Sequence, residues 1–284
     1  MDAMPHTDLT LTAADGTRLH LERREATGPV RGTLVLLHGF AVHSGQYRHI
    51  AEAFAGAGLN VIAVDSRGHG QSGGRRGYVR RFQDFQDDLH VVVEAARAWA
   101  PNVPVALGGH SHGALIGLDY ALSGRAPIAA LALACPYLAL RLKVPVWKRV
   151  LGDVMGVLWP TLAVGNELRA EETTRYPEAR ALFADDPLAH HVATPRWFNE
   201  VRASQAHILA QAATLQVPTF MALAGDDRIV DTDIALGFAH AAGPVVHTKV
   251  YPQSFHELFF EPDWRLIVDQ LSSWLVARLT APYN

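Results

Sequence analysis

Gly109-His110-Ser111-His112-Gly113 places a serine between two histidines and two glycines, and a serine so placed can act as a nucleophile. Gly-x-Ser-x-Gly describes a sharp strand-to-helix turn that lifts the serine hydroxyl clear of the chain. Glycines are needed on both sides because the turn is strained and side chains there would collide with the neighbouring strand and helix. Such a pentapeptide also arises by chance, and alone it reads as a glycine-rich loop with an incidental serine. Its setting changes that reading. Residues 103–107 form a short buried-strand pattern before it, and residues 114–122 a helical pattern after it.

A serine hydroxyl is a weak nucleophile at neutral pH and needs a base within hydrogen-bond reach, itself oriented by a carboxylate. With the nucleophile on such a turn, the chain order is serine, acid, histidine. The order removes most of the 15 histidines. His110 and His112 flank the serine and are turned away from its hydroxyl, whereas His240 and His247 fall in or beside a predicted helix and strand, where a solvated or core histidine is the plainer reading. His256, in Ser254-Phe255-His256-Glu257-Leu258, follows the last predicted strand and is assigned as the base. Asp226 and Asp227 compete for the acid. Asp227 stands in an Asp-x-x-Val pattern ending at Val230, whose side chain is expected beneath the loop, and takes the role; Asp226 is a turn-former. Asp231 and Asp233 are expected to start the next helix. The oxyanion of the tetrahedral intermediate needs amide donors, worth roughly 3 kcal/mol for a single donor. Phe40, after His38-Gly39, supplies one, and His112, at the start of the helix, supplies the other with help from the helix dipole.

The elements that must carry these residues are legible as periodicity. Residues 9–13 and 18–23 flank the turn dipeptide Asp15-Gly16 and read as an antiparallel hairpin. Residues 33–37, 59–64, 103–107, 128–134 and 217–224 are short apolar runs, followed by a last strand over 246–251. Helical patterns over 43–57, 84–100 and 264–279 lie between and after them. Strands apolar on both faces belong to a parallel sheet covered by helices, so the fold class is α/β, a doubly wound, mostly parallel sheet. Over 140–214 no strand signal appears, and helical segments are punctuated by Pro145, Pro160, Pro177, Pro187 and Pro195. This stretch is expected to be a helical cap inserted after the strand ending at Cys135, covering the crevice at the strands' carboxyl ends. The core is then 1–139 and 215–284.

Composition narrows the function. The 284 residues, 49% of them hydrophobic, are enough for a large buried core. Lys plus Arg of 25 against Asp plus Glu of 28 gives a net charge of -3, with no basic run, so nucleic acid is not an expected partner. A single cysteine, Cys135, precludes an intrachain disulfide, no Cys/His spacing suits zinc, and neither a metal nor an organic cofactor is expected. The N-terminus has no signal-peptide pattern. The longest apolar run, 128–140, is broken by Pro136 and falls short of the ~18 residues of a spanning helix. A soluble, cytoplasmic protein is expected.

Longer motifs extend the picture. The segment from His38 to Tyr47 is similar to His-Gly-x-x-Glu-His-Ser-Gly-Arg-Tyr of the monoglyceride lipase and lysophospholipase branch of the α/β-hydrolases. The segment from Asp65 to Val79 resembles that family's Arg-Gly-His-Gly-x-Ser loop with its trailing Arg-Gly-Tyr, and is far more specific than the serine turn. Asp186 to His190, Arg196-Trp197-Phe198, Asp227 to Val230 and His256 to Leu258 also look like family positions, so the resemblance covers nearly the whole chain. Val42 stands where the family usually has glutamate, Gln46 where it often has arginine, His112 where methionine is common and Ala224 in place of a frequent glycine. None of these departures removes a catalytic group. The resemblance implies an α/β-hydrolase fold with a mobile apolar cap, and a Ser-His-Asp ester hydrolase forming an acyl-enzyme. Its substrates would be monoacylglycerols, lysophospholipids or small acyl esters. In such a family Trp147, Leu151, Met155 and Trp159 would line an acyl-chain tunnel, and the cap would make transient contact with a lipid surface; the plainer alternative is that they pack the cap onto the core. Two other readings stay open: the same fold cleaving another bond, as a peptidase, thioesterase or carbon-carbon hydrolase, or a non-catalytic ligand-binding protein. Serine at the turn argues against dehalogenases and epoxide hydrolases, which use aspartate there. An aminopeptidase would need an acidic cluster for the substrate amine, which no cap feature supplies.

Overall fold

An antiparallel hairpin, β1 (Thr7–Thr12) and β2 (Arg18–Arg24), opens the chain with Leu9 opposite Leu21. Gly16 takes a positive φ of 87° in the turn, as the Asp-Gly dipeptide implies. The computed structural model describes residues 5–142, 144–166, 169–184 and 186–281. After the hairpin come β3 (Gly32–Leu37), a 3-10 turn (Ser44–Tyr47) running into α1 (Arg48–Gly56), β4 (Leu59–Val64), α2 (Gln83–Trp99), β5 (Val105–His110), α3 (His112–Ser123) and β6 (Ala130–Ala134). Six further elements follow: α4 (Val146–Leu158), β7 (Val164–Gly165), α5 (Ala170–Thr173), α6 (Pro177–Ala184), β8 (Val192–Ala193) and α7 (Pro195–Ala210). The alternation then resumes with β9 (Thr219–Ala224), α8 (Thr232–Ala242), β10 (Val246–Tyr251) and α9 (Trp264–Thr280).

Eight strands form one sheet in the order β1-β2-β4-β3-β5-β6-β9-β10, parallel from β4 onward. All residues of β3, β4, β5, β6 and β9 are buried, which is why their sequences are unbroken apolar or small runs. The strand predicted over 103–107 lies two to three residues further on. Gly108 and Gly109 continue the ladder, opposite Leu36 and Leu37 of β3, and His110 pairs with Ala134 of β6. A Cβ on Gly108 would lie 3.2 Å from a methyl of both Leu34 and Leu36, so the small residue reflects close packing, not a loop.

Between β6 and β9 the prolines act as expected. Pro145 precedes α4, Pro177 and Pro195 are first residues of their helices, and Thr194 caps α7 by accepting from the Trp197 amide at 3.2 Å. One expectation is corrected: this stretch contains strand structure, an antiparallel ladder pairing Val164 with Ala193 and Gly165 with Val192. Two residues per strand are too few to leave an alternating pattern in sequence. Helix α7 buries Trp197, Val201, Ser204, Gln205 and Ile208, one stripe at helical spacing, and touches α3 of the core. Helix α4 meets α7 through its glycines. The Asn199 side-chain amide donates to the Gly152 carbonyl at 3.1 Å, and a Cβ on Gly156 would stand 2.4 Å from the same group.

The family-like loop after β4 has a physical reason for its composition. Both oxygens of Asp65 accept amides, from Ser44 and Gln71 at 2.7 Å each, and a Cβ on Gly70 would overlap that carboxylate. Arg67 grips Asp88 of α2 through two hydrogen bonds of 2.6 Å. Further on, the Gly77 carbonyl accepts both the amide and the hydroxyl of Thr194 at 2.9 Å, fastening this loop to the cap-side end of α7.

The tightest approach lies where β5 passes into α3. A Cβ on Gly113 would be 2.5 Å from the carbonyl oxygens of Leu37 and His38, and one on Gly109 would be 2.7 Å from the backbone of residues 113 and 114. Gly117, one turn further along α3, has nothing nearer than 3.8 Å. Gly113→Ala is therefore expected to destabilise the fold by on the order of 3 kcal/mol, because the obstacle is backbone. Gly117→Ala is expected to be neutral or stabilising by up to about 1 kcal/mol through helix propensity. Urea denaturation of the two variants checks the pair; equal losses would contradict the packing described.

Candidate active site

Ser111 occupies the turn between β5 and α3 with φ 51° and ψ −112°, a conformation costly for a residue with a side chain. The neighbouring strand holds it there. The Ser111 amide donates to the Ala134 carbonyl at 2.9 Å, and the Ser111 carbonyl accepts the amides of Leu115 and Tyr137 at 3.0 and 3.1 Å. Among the described residues three non-glycines have positive φ, Ala41, Ser111 and Cys135, and each lies in the segment following β3, β5 or β6.

Three residues far apart in sequence meet at this turn. The Ser111 Oγ lies 2.9 Å from His256 Nε2, and His256 Nδ1 lies 2.8 Å from Asp227 Oδ2. Asp227 Oδ1 accepts the amides of Ile229 and Val230 at 2.9 Å each. An ionised carboxylate only accepts, so Nδ1 carries the ring proton and Nε2 is left to accept from the serine hydroxyl. The choice between the paired aspartates is geometric: Asp227 is fully buried, whereas Asp226 is half-buried and pairs with Arg228 at 3.3 Å. Val230 is buried as its pattern required. Asp231 caps α8 by accepting from the Asp233 and Ile234 amides, while His240 and His247 are exposed, away from this centre.

Sequence reasoning set His110 aside, and the structure gives it a positioning role. Its Nε2 lies 3.0 Å from the His256 carbonyl, which can only accept, so Nε2 carries the proton and Nδ1 accepts from the Tyr47 hydroxyl at 2.9 Å. His38 is oriented in the same way: its Nε2 accepts the Ser66 amide at 3.0 Å and its Nδ1 donates to the Gly39 carbonyl at 2.7 Å. The signal for both was a histidine beside a motif residue. What hid them was that their partners are backbone atoms and a tyrosine distant in sequence.

A cavity of about 350 Å³ opens onto Ser111 and His256. Its walls combine Phe40, Tyr137, Ile229 and Glu257 with Val144, Lys148, Gly152, Trp197 and Phe198 from residues 140–214. Phe40 stacks on Trp197 at 3.9 Å between ring centroids. His112 begins α3, so its amide is one of the helix's uncommitted N-terminal donors. Its ring is buried among Phe40, Phe82, Phe85 and Trp197, with no hydrogen-bond partner for either nitrogen among the described residues. The expectation for the cap's first helix is corrected. None of Trp147, Leu151, Met155 and Trp159 lines the cavity; Lys148 and Gly152 do. Because α4 meets α7 along its glycine face, Trp147 (64% exposed), Leu151 and Trp159 point away from the core, and Met155 is partly buried.

Electrostatics follow from burial and neighbours. Burial alone would raise the Asp227 pKa, but His256 and the two amides outweigh it and hold the carboxyl below its ordinary value. Burial would lower His256, yet the Asp227 charge and hydrogen bond, with Glu257, raise it. Burial pushes the Glu257 carboxyl up to about 7, with His256 opposing the shift, and pulls His110 down to about 3. Metal-ligating side chains gather at three places among the described residues: His110, His256 and Glu257; Cys135, Asp227 and His256; and His6, Asp8 and Glu22 near the hairpin. The first two share His256, whose ring nitrogens already face Ser111 and Asp227.

A family model described as Hydrolase_4, serine aminopeptidase S33, matches residues 28–263. The chain belongs to this family. A monoacylglycerol lipase of Mycolicibacterium smegmatis is 35% identical to this Hydrolase_4 member over 253 residues, 88% of this chain and 89% of that one. Phospholipase YtpA of Bacillus subtilis is 29% identical over 244 residues, 84% and 92% of the two chains. The crystal structure of Paleococcus ferrophilus monoacylglycerol lipase matches with a TM-score of 0.82 at 26% identity, covering 91% of this chain and 99% of that one. The Hydrolase_4 member described here is a serine ester hydrolase with the α/β-hydrolase fold.

His256 accepts a proton only when neutral, so activity is expected to fall as pH drops through its raised pKa. Asp227→Asn removes the charge that raises that pKa, so the acid limb of the kcat/KM profile is expected to move to lower pH while kcat falls about 10⁴-fold, as for the equivalent change in a serine protease. Profiles on a soluble ester check this; an unmoved limb would separate Asp227 from His256.

Proposed function

We propose that this enzyme hydrolyses monoacylglycerols and related lipid esters, including lysophospholipids and short acyl esters, through a Ser111-His256-Asp227 triad. His256 Nε2 takes the Ser111 proton as Oγ attacks the ester carbonyl, Asp227 holds the imidazole in its tautomer, and the Phe40 and His112 amides receive the oxyanion. His256 then protonates the departing alcohol. Water, deprotonated by the same imidazole, attacks the acyl-enzyme and releases the fatty acid.

The observation that carries this reading is that the serine faces a mostly apolar cavity, of about 350 Å³, within the roughly 300–1,000 Å³ of small-molecule sites. Relatives that are a monoacylglycerol lipase and a phospholipase support the lipid assignment. A peptidase with an amine-binding acidic cluster fits less well, because Glu257 is the one acidic residue among the described lining residues. Residues 140–214 act as the cap of a core made of 1–139 and 215–284. On the cap's outside, Val146, Trp147, Val150, Leu151, Val157 and Leu158 make an exposed apolar face on α4, with Leu158 at 75% exposure. We assign this face to transient contact with a lipid surface by a cytoplasmic enzyme, since isolated apolar patches of this kind mark such contacts. No helix among the described residues is long and apolar enough to cross a membrane.

Hydrolysis of a monoacylglycerol series beside matched p-nitrophenyl esters tests the reading. Wild type is expected to cleave both, and Ser111→Ala to lose on the order of 10⁶-fold in kcat on both. Cleavage of short artificial esters alone would remove the lipid assignment and leave the mechanism. A variant combining Trp147→Ser and Leu158→Ser is expected to lose activity on monoacylglycerol carried in vesicles while keeping its rate on a soluble butyrate ester; equal rates on vesicles would remove the surface role.

A further inference from the structure

Glu257 is a buried carboxyl in the wall of the reactive cavity, adjacent in sequence to the candidate base, and the proposed mechanism gives it no task. Its backbone is committed: the amide donates to the Thr173 carbonyl at 2.8 Å and the carbonyl accepts the Phe260 amide at 2.8 Å. Oε2 is buried without a hydrogen-bond partner among the described residues. His110 Nδ1, at 3.6 Å, is beyond hydrogen-bond reach and already accepts from Tyr47. A buried carboxyl left in this state is destabilising, and such groups in native structures call for an explanation.

The leaving oxygen of an ester must come within hydrogen-bond reach of His256 Nε2 to be protonated. The leaving alcohol therefore occupies the part of the cavity beside His256, and Glu257 belongs to the same loop. The oxyanion amides, at Phe40 and His112, belong to other segments. We propose that Glu257 forms the leaving-alcohol subsite, taking a hydrogen bond with a free hydroxyl of a polyol ester such as a glycerol monoester. This deepens the proposed function and rests on its assignment of His256. Burial keeps the carboxyl up to about 7, against the opposing pull of His256, with Asp227 adding to the rise. A carboxyl protonated near neutrality both donates and accepts, which matches a hydroxyl better than an ammonium head group. A cavity that is otherwise mostly apolar offers a bare alkyl alcohol nothing in exchange for leaving this group unmatched.

The test uses butyrate esters of three alcohols, glycerol, propan-1-ol and choline, with kcat/KM measured for wild type, Glu257→Gln and Glu257→Leu. In wild type the glyceryl ester is expected to exceed the propyl ester. Glu257→Gln, which still donates and accepts, is expected to hold that ratio within about threefold, and Glu257→Leu to lower it about tenfold or more, the size of one hydrogen bond to a buried polar group. Because the readout is a ratio, a general loss from altered packing cancels. A wild-type ratio near one, or a ratio unchanged in Glu257→Leu, would overturn the assignment. Preference for the choline ester lost in both variants would assign Glu257 to a cation instead. Butyrates report on the subsite even if long-chain monoacylglycerols prove not to be substrates, and the triad itself is tested separately by Ser111→Ala.

Discussion

The approach of α3 to β3 and β5, too close for any side chain at residues 109 and 113, is the constraint on which the site depends. It forces Ser111 into a left-handed backbone conformation and turns its hydroxyl toward the cavity. The cost of that conformation is met by the surrounding sheet. Strand β6 supplies the carbonyl that holds the Ser111 amide, and the segment after β6 supplies the Tyr137 amide that holds its carbonyl. Reactive groups must be placed to within about 0.5 Å to act together, and rigid elements achieve this better than loops. Here the proposed nucleophile hangs from the junction of a buried strand and a buried helix, while the proposed base and acid come from loops tied back by short bonds. The Asp227 loop is bound through its own amides and through Leu140, which bridges to Val230 at the root of the inserted segment.

Burial is used in three different ways around one imidazole. Asp227 keeps its charge because two amides and His256 satisfy it, so its low pKa and the raised pKa of His256 are two sides of one interaction. His110 is kept neutral by desolvation and serves as a scaffold, clasped between the His256 carbonyl and Tyr47. At Glu257 burial outweighs the opposing pull of His256, and the carboxyl is pushed up to about 7. The same physical cause, removal from water, thus yields a charged acid, a neutral base and a neutral acid within one site, depending on which partners are present.

Most of this was legible in the sequence, for identifiable reasons. Strands buried on both faces write themselves as apolar runs, so β3 and β4 fall where predicted, and Asp227 was separable from Asp226 because Val230 fixed the loop's geometry. Strand β5 was misplaced because its last three residues, Gly108, Gly109 and His110, look like a loop until their close neighbours are known. The β7-β8 ladder was too short to carry a period. Trp147, Leu151 and Met155 of α4, with Trp159 just after it, miss the cavity for a different reason. Amphipathicity shows that a helix has an apolar face, but not that its glycine face would be the one to meet α7. The roles of His110 and Glu257 depend on which atoms are already engaged, and spacing does not encode that.

In the proposed reaction an acyl group passes through Ser111. Mass spectrometry of protein quenched in acid during turnover of a slow p-nitrophenyl ester tests it most directly. A mass increase of one acyl group is expected, confined to the peptide carrying Ser111, absent from Ser111→Ala and longer-lived in His256→Ala where any forms. An acyl group on another residue, or steady turnover with an equal adduct in Ser111→Ala, would contradict it.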